Sequence, residues 1–202
     1  MRNKRLRKII AVIAMMAVLL TVAGCGARTP GPGQSPNQSA VNYEVDLTYV
    51  NLAYIDSGDE MIDKFVDDVE QIISVEAMDT KEAQLSFAVM EAIELLKTVP
   101  DRLSDHAVTC VSDRVPVKNV QVTSAGPNAH CVVDIDGAGA MEMDSYTEMF
   151  FIYQIADTIL DSFDSIESVS FTVDGKEVDG LNHMDLSKPF TDDVLDRFEG
   201  ND

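Results

Sequence analysis

The order of apolar and polar residues divides the chain into a leader, a linker and a body. Ile9–Ala23 is an apolar run of fifteen residues behind a basic head. A membrane-spanning helix needs about 20 such residues, so this shorter run fits the hydrophobic region of a signal peptide. Residues 26–42 hold three prolines, three glycines and no apolar run. We therefore predict a signal peptide over 1–24, a flexible linker over 25–42 and a folded domain over 43–202.

The first part of the body predicts a strand, an ambiguous segment and a helix. Asp46–Ile55 is rich in β-branched and aromatic residues, which favours a strand. Phe65–Val75 fits either a returning strand or a short helix. Ala83–Val99 has only a narrow polar stripe, so we expect a mostly buried helix. A capping box of Asp79 and Glu82 precedes that helix.

The second part of the body contains two hairpins on either side of a helix. Val117–Thr123 and Ala129–Asp136 are strand-like runs joined by a turn, and Asp174-Gly175 is a typical two-residue hairpin turn. Between the hairpins, a capping box at Ser145 predicts the start of a helix that runs to about Asp161. The polar side of this helix is expected to face solvent and consists of Glu148, Gln154, Asp157 and Asp161.

The arrangement of these elements predicts the fold class. Hairpins, rather than single parallel strands, separate the helices, which favours an α+β fold. We expect a mixed or antiparallel sheet with two main helices packed on it, and a short terminal helix over Thr191–Phe198. About 150 ordered residues are enough to form a self-sufficient core.

The charge of the chain excludes one class of function. There are 35 acidic and 15 basic residues, for a formal net charge of −20, and five of the bases lie in the first eight residues. Removal of the leader would therefore leave a body that is more acidic still. Because phosphate backbones repel such a body, we do not expect nucleic-acid binding.

The acidic residues are dense in one part of the body. They are Asp56, Asp59, Glu60, Asp63, Asp67, Asp68 and Glu70. The simplest interpretation is a solvated surface whose charge opposes self-association. The functional alternative is a docking face for a basic partner, or a wall that gathers cations.

The leader ends in Val22-Ala23-Gly24-Cys25, and small residues in front of a cysteine resemble the bacterial lipobox. In that pattern the Cys25 thiol takes a diacylglycerol, and cleavage makes Cys25 the first mature residue. Two or more acyl chains hold a protein stably on a membrane, and the basic head stays inside while the body is exported. We therefore expect a lipid anchor on the extracytoplasmic face of a bacterial cell membrane. The alternative is a plain signal anchor with an incidental cysteine.

Other reactive side chains are sparse. Cys110 and Cys131 face an exported compartment, where a disulfide is allowed, but Cys131 also fits a buried apolar position. His183, Asp185 and Ser187 alternate along the chain. A hydrogen bond that pins this tail to the sheet is favoured over a catalytic triad, because no oxyanion donor accompanies them. We expect no catalytic residue and no cofactor.

Two further segments have a weak resemblance to ligand sites. Gly137-Ala138-Gly139 lies between a strand and a helix, but Glu142 occupies the third position of a dinucleotide fingerprint, so we expect a loop that needs backbone freedom. Asp134 and Asp136 share one face of a strand end. A solvated loop is favoured over a calcium site there because the other ligands of a calcium loop are missing. We expect no metal site.

The end of the body resembles a known family. The segment Val169–Phe190 contains, in order, Val173-Asp174-Gly175-Lys176, Gly180, His183, Asp185-Leu186-Ser187 and Pro189-Phe190. This order is similar to the closing part of the GerMN domain of sporulation and spore-germination lipoproteins. Upstream, the segments that fall on the elements of that domain are Ala92–Lys97, Cys131–Asp134 and Tyr146–Leu160. The resemblance covers roughly Val50–Phe190.

The resemblance implies a non-catalytic module with a structural, assembly or binding role in sporulation, germination or the cell envelope. Its implied partners are an envelope protein or peptidoglycan, besides the membrane lipid on Cys25. The alternative function is that of a lipoprotein that binds a cation or a small ligand through its acidic residues.

Overall fold

Strands and helices alternate along residues 40–124 and 126–199, the part of the chain that the computed structural model describes. The strands in this part are β1 Val41–Asn51, β2 Phe65–Val75, β3 Ala107–Val108, β4 Val117–Val122, β5 Ala129–Ile135, β6 Ile166–Val173 and β7 Lys176–Glu177. The helices are α1 Leu52–Ser57, α2 Lys81–Leu96, α3 Gly137–Ala140, α4 Ser145–Ser162 and α5 Asp192–Glu199, with a 3-10 turn at Asp101–Leu103. This is the α+β class that the sequence predicts.

The strands are divided between two sheets. In the first sheet, β1 lies between β2 and β3 and is antiparallel to both. In the second, of order β4-β5-β6-β7, β5 is antiparallel to β4 and parallel to β6. Asp174 and Gly175 both have positive φ, the geometry of a tight hairpin turn, and they join β6 to β7. The predicted mixed and antiparallel pairing and both predicted hairpins are confirmed.

Helix α4 is the centre of the fold. It packs on β1 and β6 and is buried around nearly its whole circumference. Glu148, Gln154 and Asp157 are fully buried, so the prediction that they face solvent is wrong. Strands of both sheets and the C-terminal tail cover the helix, so its polar side chains must form their hydrogen bonds inside the protein.

Helix α2 covers β1, β2 and β4 with one side only. Its buried residues are Leu85, Ala88, Val89, Ala92, Ile93 and Leu96. Phe87 and Leu95 on the same helix remain 43% and 37% exposed, so the prediction of a mostly buried helix is wrong. The N-cap is Thr80 rather than Asp79, because the extended Thr80 places its hydroxyl 3.1 Å from the Ala83 amide.

The first sheet differs from the prediction at both ends of β1, and it decides the structure of the segment that the sequence left ambiguous. Strand β1 ends at Asn51 rather than Ile55, because the Asn51 side chain caps α1 by accepting from the Ala53 amide at 3.0 Å. The ambiguous Phe65–Val75 is a strand. Strand β1 also begins at Val41, within the last two residues of the predicted linker. The predicted signal peptide, Cys25 and the linker up to residue 39 lie outside the described residues.

Side chains next to α3 and α4 set where these helices begin. The segment Gly137-Ala138-Gly139, predicted as a loop, is helical because the Asp136 carboxylate caps it by accepting from the Gly139 amide at 2.8 Å. A Cβ on Gly139 would collide with the Arg114 carbonyl, so the glycine permits a close approach of two backbones. The N-cap of α4 is Asp144 rather than Ser145.

A cluster of aromatic rings joins α1, β2, α4 and α5. Phe150 is fully buried and meets Tyr54 and Phe65 edge to face, with ring centroids 6.1 and 5.7 Å apart. Phe198 of α5 stacks on Tyr153, with centroids 3.6 Å apart and planes inclined by 12°. The terminal helix therefore completes a second, smaller core.

Candidate functional site

The acidic residues that the sequence singles out are exposed. Asp56, Asp59, Glu60, Asp63 and Glu70 lie on α1, on the loop that follows it and on β2, an edge strand of the first sheet. We call these five residues the acidic segment. The side chains of Asp67 and Asp68 lie outside the described part of the structure. The exposure is consistent with either a solvated surface or a docking face.

One residue of the acidic segment is tied to the aromatic cluster. Glu60 accepts a hydrogen bond from the Tyr54 hydroxyl at 3.2 Å and pairs with the buried Lys64 at 3.1 Å. The Lys64 ammonium lies 5.4 Å from the centre of the Tyr54 ring and 5.3 Å from that of Phe198. The hydrogen bond with Lys64 is the main cause that lowers the pKa of Glu60. Glu60 is thus held against the domain and is favoured in its charged form.

The family-like tail is built around a buried carboxylate. One Glu148 oxygen accepts from the backbone amides of His183 and Met184, each at 2.9 Å. Its other oxygen lies 2.9 Å from Nδ1 of His183. Glu148 is fully buried on α4, whereas the His183 side chain is 49% exposed. Sequence reasoning missed this anchor because Glu148 matches the polar stripe of a surface helix.

His183, Asp185 and Ser187 do not form a triad. The His183 ring is directed to Glu148, while Asp185 accepts from the hydroxyl and amide of Ser187 at 2.5 and 2.9 Å. The hydrogen bond from the Ser187 hydroxyl is the main cause that lowers the pKa of Asp185. Phe190 and Val169 exchange two backbone hydrogen bonds of 2.8 and 2.9 Å, which attach the tail to β6. The prediction that these residues pin the tail to the sheet is wrong: His183 attaches the tail to helix α4, and the backbone of Phe190 attaches it to the sheet.

The other buried polar residues of α4 also have internal partners. The Gln154 side chain accepts from the Cys110 amide and donates to the Thr109 hydroxyl, both at 3.0 Å. Asp157 accepts from the Thr48 hydroxyl of β1 at 2.7 Å. These hydrogen bonds fix the first sheet and the segment after β3 on the central helix.

Neither cysteine of the described residues is placed for nucleophilic chemistry. Cys110 and Cys131 are free thiols, so the disulfide that the sequence allows is not formed in this structure. Burial raises the pKa of Cys110 to about 11 and that of Cys131 to about 12. A thiol with a raised pKa is mostly protonated at neutral pH and therefore a poor nucleophile.

The carboxylates at the end of β5 are held by groups of the protein. Asp134 accepts from the Thr172 hydroxyl at 2.8 Å and from the Gly175 amide at 2.6 Å. Lys118 bridges Asp136 and Asp174 at 2.8 and 2.5 Å. These two contacts raise the pKa of Lys118. The hydrogen bond with Lys118 is the main cause that lowers the pKa of Asp136. Within residues 40–124 and 126–199, no group of three or more His, Cys, Asp or Glu side chains is placed to hold a metal ion. No helix in the same ranges has both the length and the apolar character needed to cross a membrane.

Comparison with known proteins adds a family. Residues 54–179 match the family model described as "Germane: Sporulation and spore germination". No curated protein matches the chain.

Three solved structures are similar at low sequence identity. A lipoprotein candidate from Clostridium perfringens is 20% identical with a TM-score of 0.45, over 75% of this chain and 89% of that one. The tandem GerMN domains of the sporulation protein GerM from Bacillus subtilis are 16% identical with a TM-score of 0.43, over 76% and 45%. The first of those domains alone is also 16% identical with a TM-score of 0.43, over 73% and 95%.

Proposed function

The chain belongs to the Germane family of sporulation and spore germination, and we propose that it is a lipid-anchored, non-catalytic binding or assembly module on the extracytoplasmic face of the cell membrane. The family match over residues 54–179 supports the role, and the sequence Val22-Ala23-Gly24-Cys25 supports the anchor. The role would lie in spore formation, germination or a related process of the envelope, with an envelope protein or peptidoglycan as the partner. Acylation of Cys25 would supply the contact with the membrane.

The internal contacts of the tail support a non-catalytic role. A histidine that acts in a catalytic triad needs a nucleophile within hydrogen-bonding reach. His183 instead contacts a buried carboxylate, and the Ser187 hydroxyl donates to Asp185. The polar residues of the motif thus stabilise the packing of the tail.

The acidic segment supports a basic partner. Its carboxylates are exposed, and Met61, between Glu60 and Ile62, is 91% exposed. A flexible methionine among charges is suited to an adaptable contact with another protein. Charges at the rim of such a contact mainly raise the association rate and select the partner by sign.

Removal of charge from the acidic segment is expected to weaken partner binding. The variant Asp56→Asn/Asp63→Asn/Glu70→Gln leaves Glu60 and its contacts unchanged. Because three exposed pairs would contribute about 0.2–1 kcal/mol each, we expect a loss of affinity of about threefold to 140-fold. The full-length chain is first used to retain envelope proteins from solubilised membranes. The affinity of the purified partner is then measured by titration at two salt concentrations.

The matched control is Glu91→Gln/Asp101→Asn/Asp105→Asn, which removes the same charge from exposed positions elsewhere. Equal losses in both variants would contradict a specific role of the acidic segment. A rise of the melting temperature with calcium that only the acidic-segment variant abolishes would favour the alternative function, cation binding.

Cys25→Ser is expected to abolish lipid attachment. A serine hydroxyl lacks the nucleophilic sulfur that takes the diacylglycerol, so the full-length variant should incorporate no labelled palmitate and keep its uncleaved leader. Cys110→Ser is the control, since its thiol lies in the folded domain. Palmitate retained by the Cys25 variant would contradict the proposed anchor.

A further inference from the structure

A groove of about 460 Å³ crosses the outer face of the second sheet. Its floor contains His130 of β5 and Ser170 and Thr172 of β6, and its wall contains Glu177, Asp179 and Ser187. The volume falls within the range of about 300–1,000 Å³ that is typical of ligand sites. The acidic segment contributes no residue to the groove.

The wall of the groove is held by the tail contacts described above. The Leu186 amide donates to the Asp179 carbonyl at 3.0 Å, and the Leu186 side chain is only 5% exposed. Glu148 holds the preceding turn, and the paired Phe190 holds the chain that follows. A wall fixed at both ends gives a site whose shape exists before a ligand binds, which lowers the entropic cost of binding.

The groove offers hydrogen-bond acceptors to a ligand. Among the described residues, the carboxylates of Glu177 and Asp179 have no hydrogen-bonding or ion-pair partner, and both residues are exposed. Ser170 and His130 also line the groove, and Nδ1 of His130 is 2.8 Å from the Ser168 hydroxyl. A phosphate or carboxylate ligand would be repelled here, because both charged groups of the wall are anionic.

The apolar lining narrows the class of ligand further. The aromatic ring in the lining, Phe171, is 3% exposed and cannot offer its face for stacking against a sugar. Val132 and Val178 are half-buried and suit an alkyl stem. A lysine side chain combines such a stem with an ammonium that donates to carboxylates. We propose that this groove binds a lysine side chain of an extended segment of a partner protein.

The three histidines of the chain allow a site-specific test. His130 lies in the groove, whereas His106 is exposed and outside its lining. Full-length protein in detergent micelles is titrated with the acetylated, amidated peptide Ala-Lys-Ala while the imidazole signals are followed by NMR, with assignment by His106→Gln and His130→Gln. We expect a saturable shift of the His130 signal alone. The same peptide with an acetylated lysine should give no shift.

Charge variants then locate the binding group. Glu177→Gln/Asp179→Asn should weaken peptide binding about tenfold, because two charge-assisted contacts are lost. Glu91→Gln/Asp105→Asn, with the same change of charge, should bind as the unaltered protein does, and so should the acidic-segment variant. Equal loss in the control, or equal shifts of His106, would overturn the proposal as non-specific attraction. Spermidine that binds more tightly than the peptide would overturn the peptide as the occupant.

Discussion

Replacement of Glu148 by alanine is expected to lower the free energy of unfolding by about 3–5 kcal/mol. The change removes a buried carboxylate that accepts from two backbone amides and one imidazole of the tail. Each donor left without a partner in a desolvated place costs about 1–3 kcal/mol. Denaturant unfolding of the full-length variant measures the loss, and amide hydrogen exchange should show that residues 181–187 open first.

His183→Ala is the matched control for this prediction. It deletes the ring contact but keeps both backbone donors to Glu148, so we expect a loss of only about 0.5–1.5 kcal/mol. If the two variants lose equal stability, the anchor depends on the ring rather than on the backbone amides. If Glu148→Ala unfolds no more easily than the unaltered chain, the buried anchor is wrong.

Replacement of Phe150 by alanine is expected to cost about 3–5 kcal/mol of stability. The ring is fully buried and contacts Tyr54, Phe65 and Phe198 with centroids 5.7–6.1 Å apart. Its removal would leave a cavity where α1, β2 and α5 meet α4. Thermal and denaturant unfolding measure the effect, and the near-ultraviolet circular dichroism of the tyrosines should weaken with it.

Phe87→Ala provides the comparison for Phe150→Ala. It removes the same side chain from α2, where it is 43% exposed, so less than about 1 kcal/mol should be lost. A similar cost at both positions would contradict the assignment of a second core around Phe150.

The sequence predicted those elements whose signals are local. The alternation in Ala129–Ile135 and the Asp174-Gly175 turn identify a strand and a hairpin without knowledge of the rest of the fold. The two predicted cap residues, Asp79 and Ser145, were each wrong by one position, because the adjacent Thr80 and Asp144 are equally suited by type. Backbone geometry selects one of each pair.

The internal role of the polar side of α4 could not be predicted from the pattern. A carboxylate at position 148 produces the same periodicity whether it contacts water or the amide of His183, 35 residues further along the chain. The groove was missed for a related reason, since β5, β6 and the tail form it only after the parallel strands have paired. The acidic segment, by contrast, lies in one stretch of sequence and was visible there.

The aromatic closure by α5 bears on where this protein can be shortened. The family match stops at residue 179, yet Leu186, Phe190 and Leu195 belong to the main core, and Phe198 seals the smaller one. A chain that ended at residue 179 would lack these side chains and would expose apolar core surface, which promotes aggregation. Fragments made for crystallisation or NMR should therefore extend to at least residue 199.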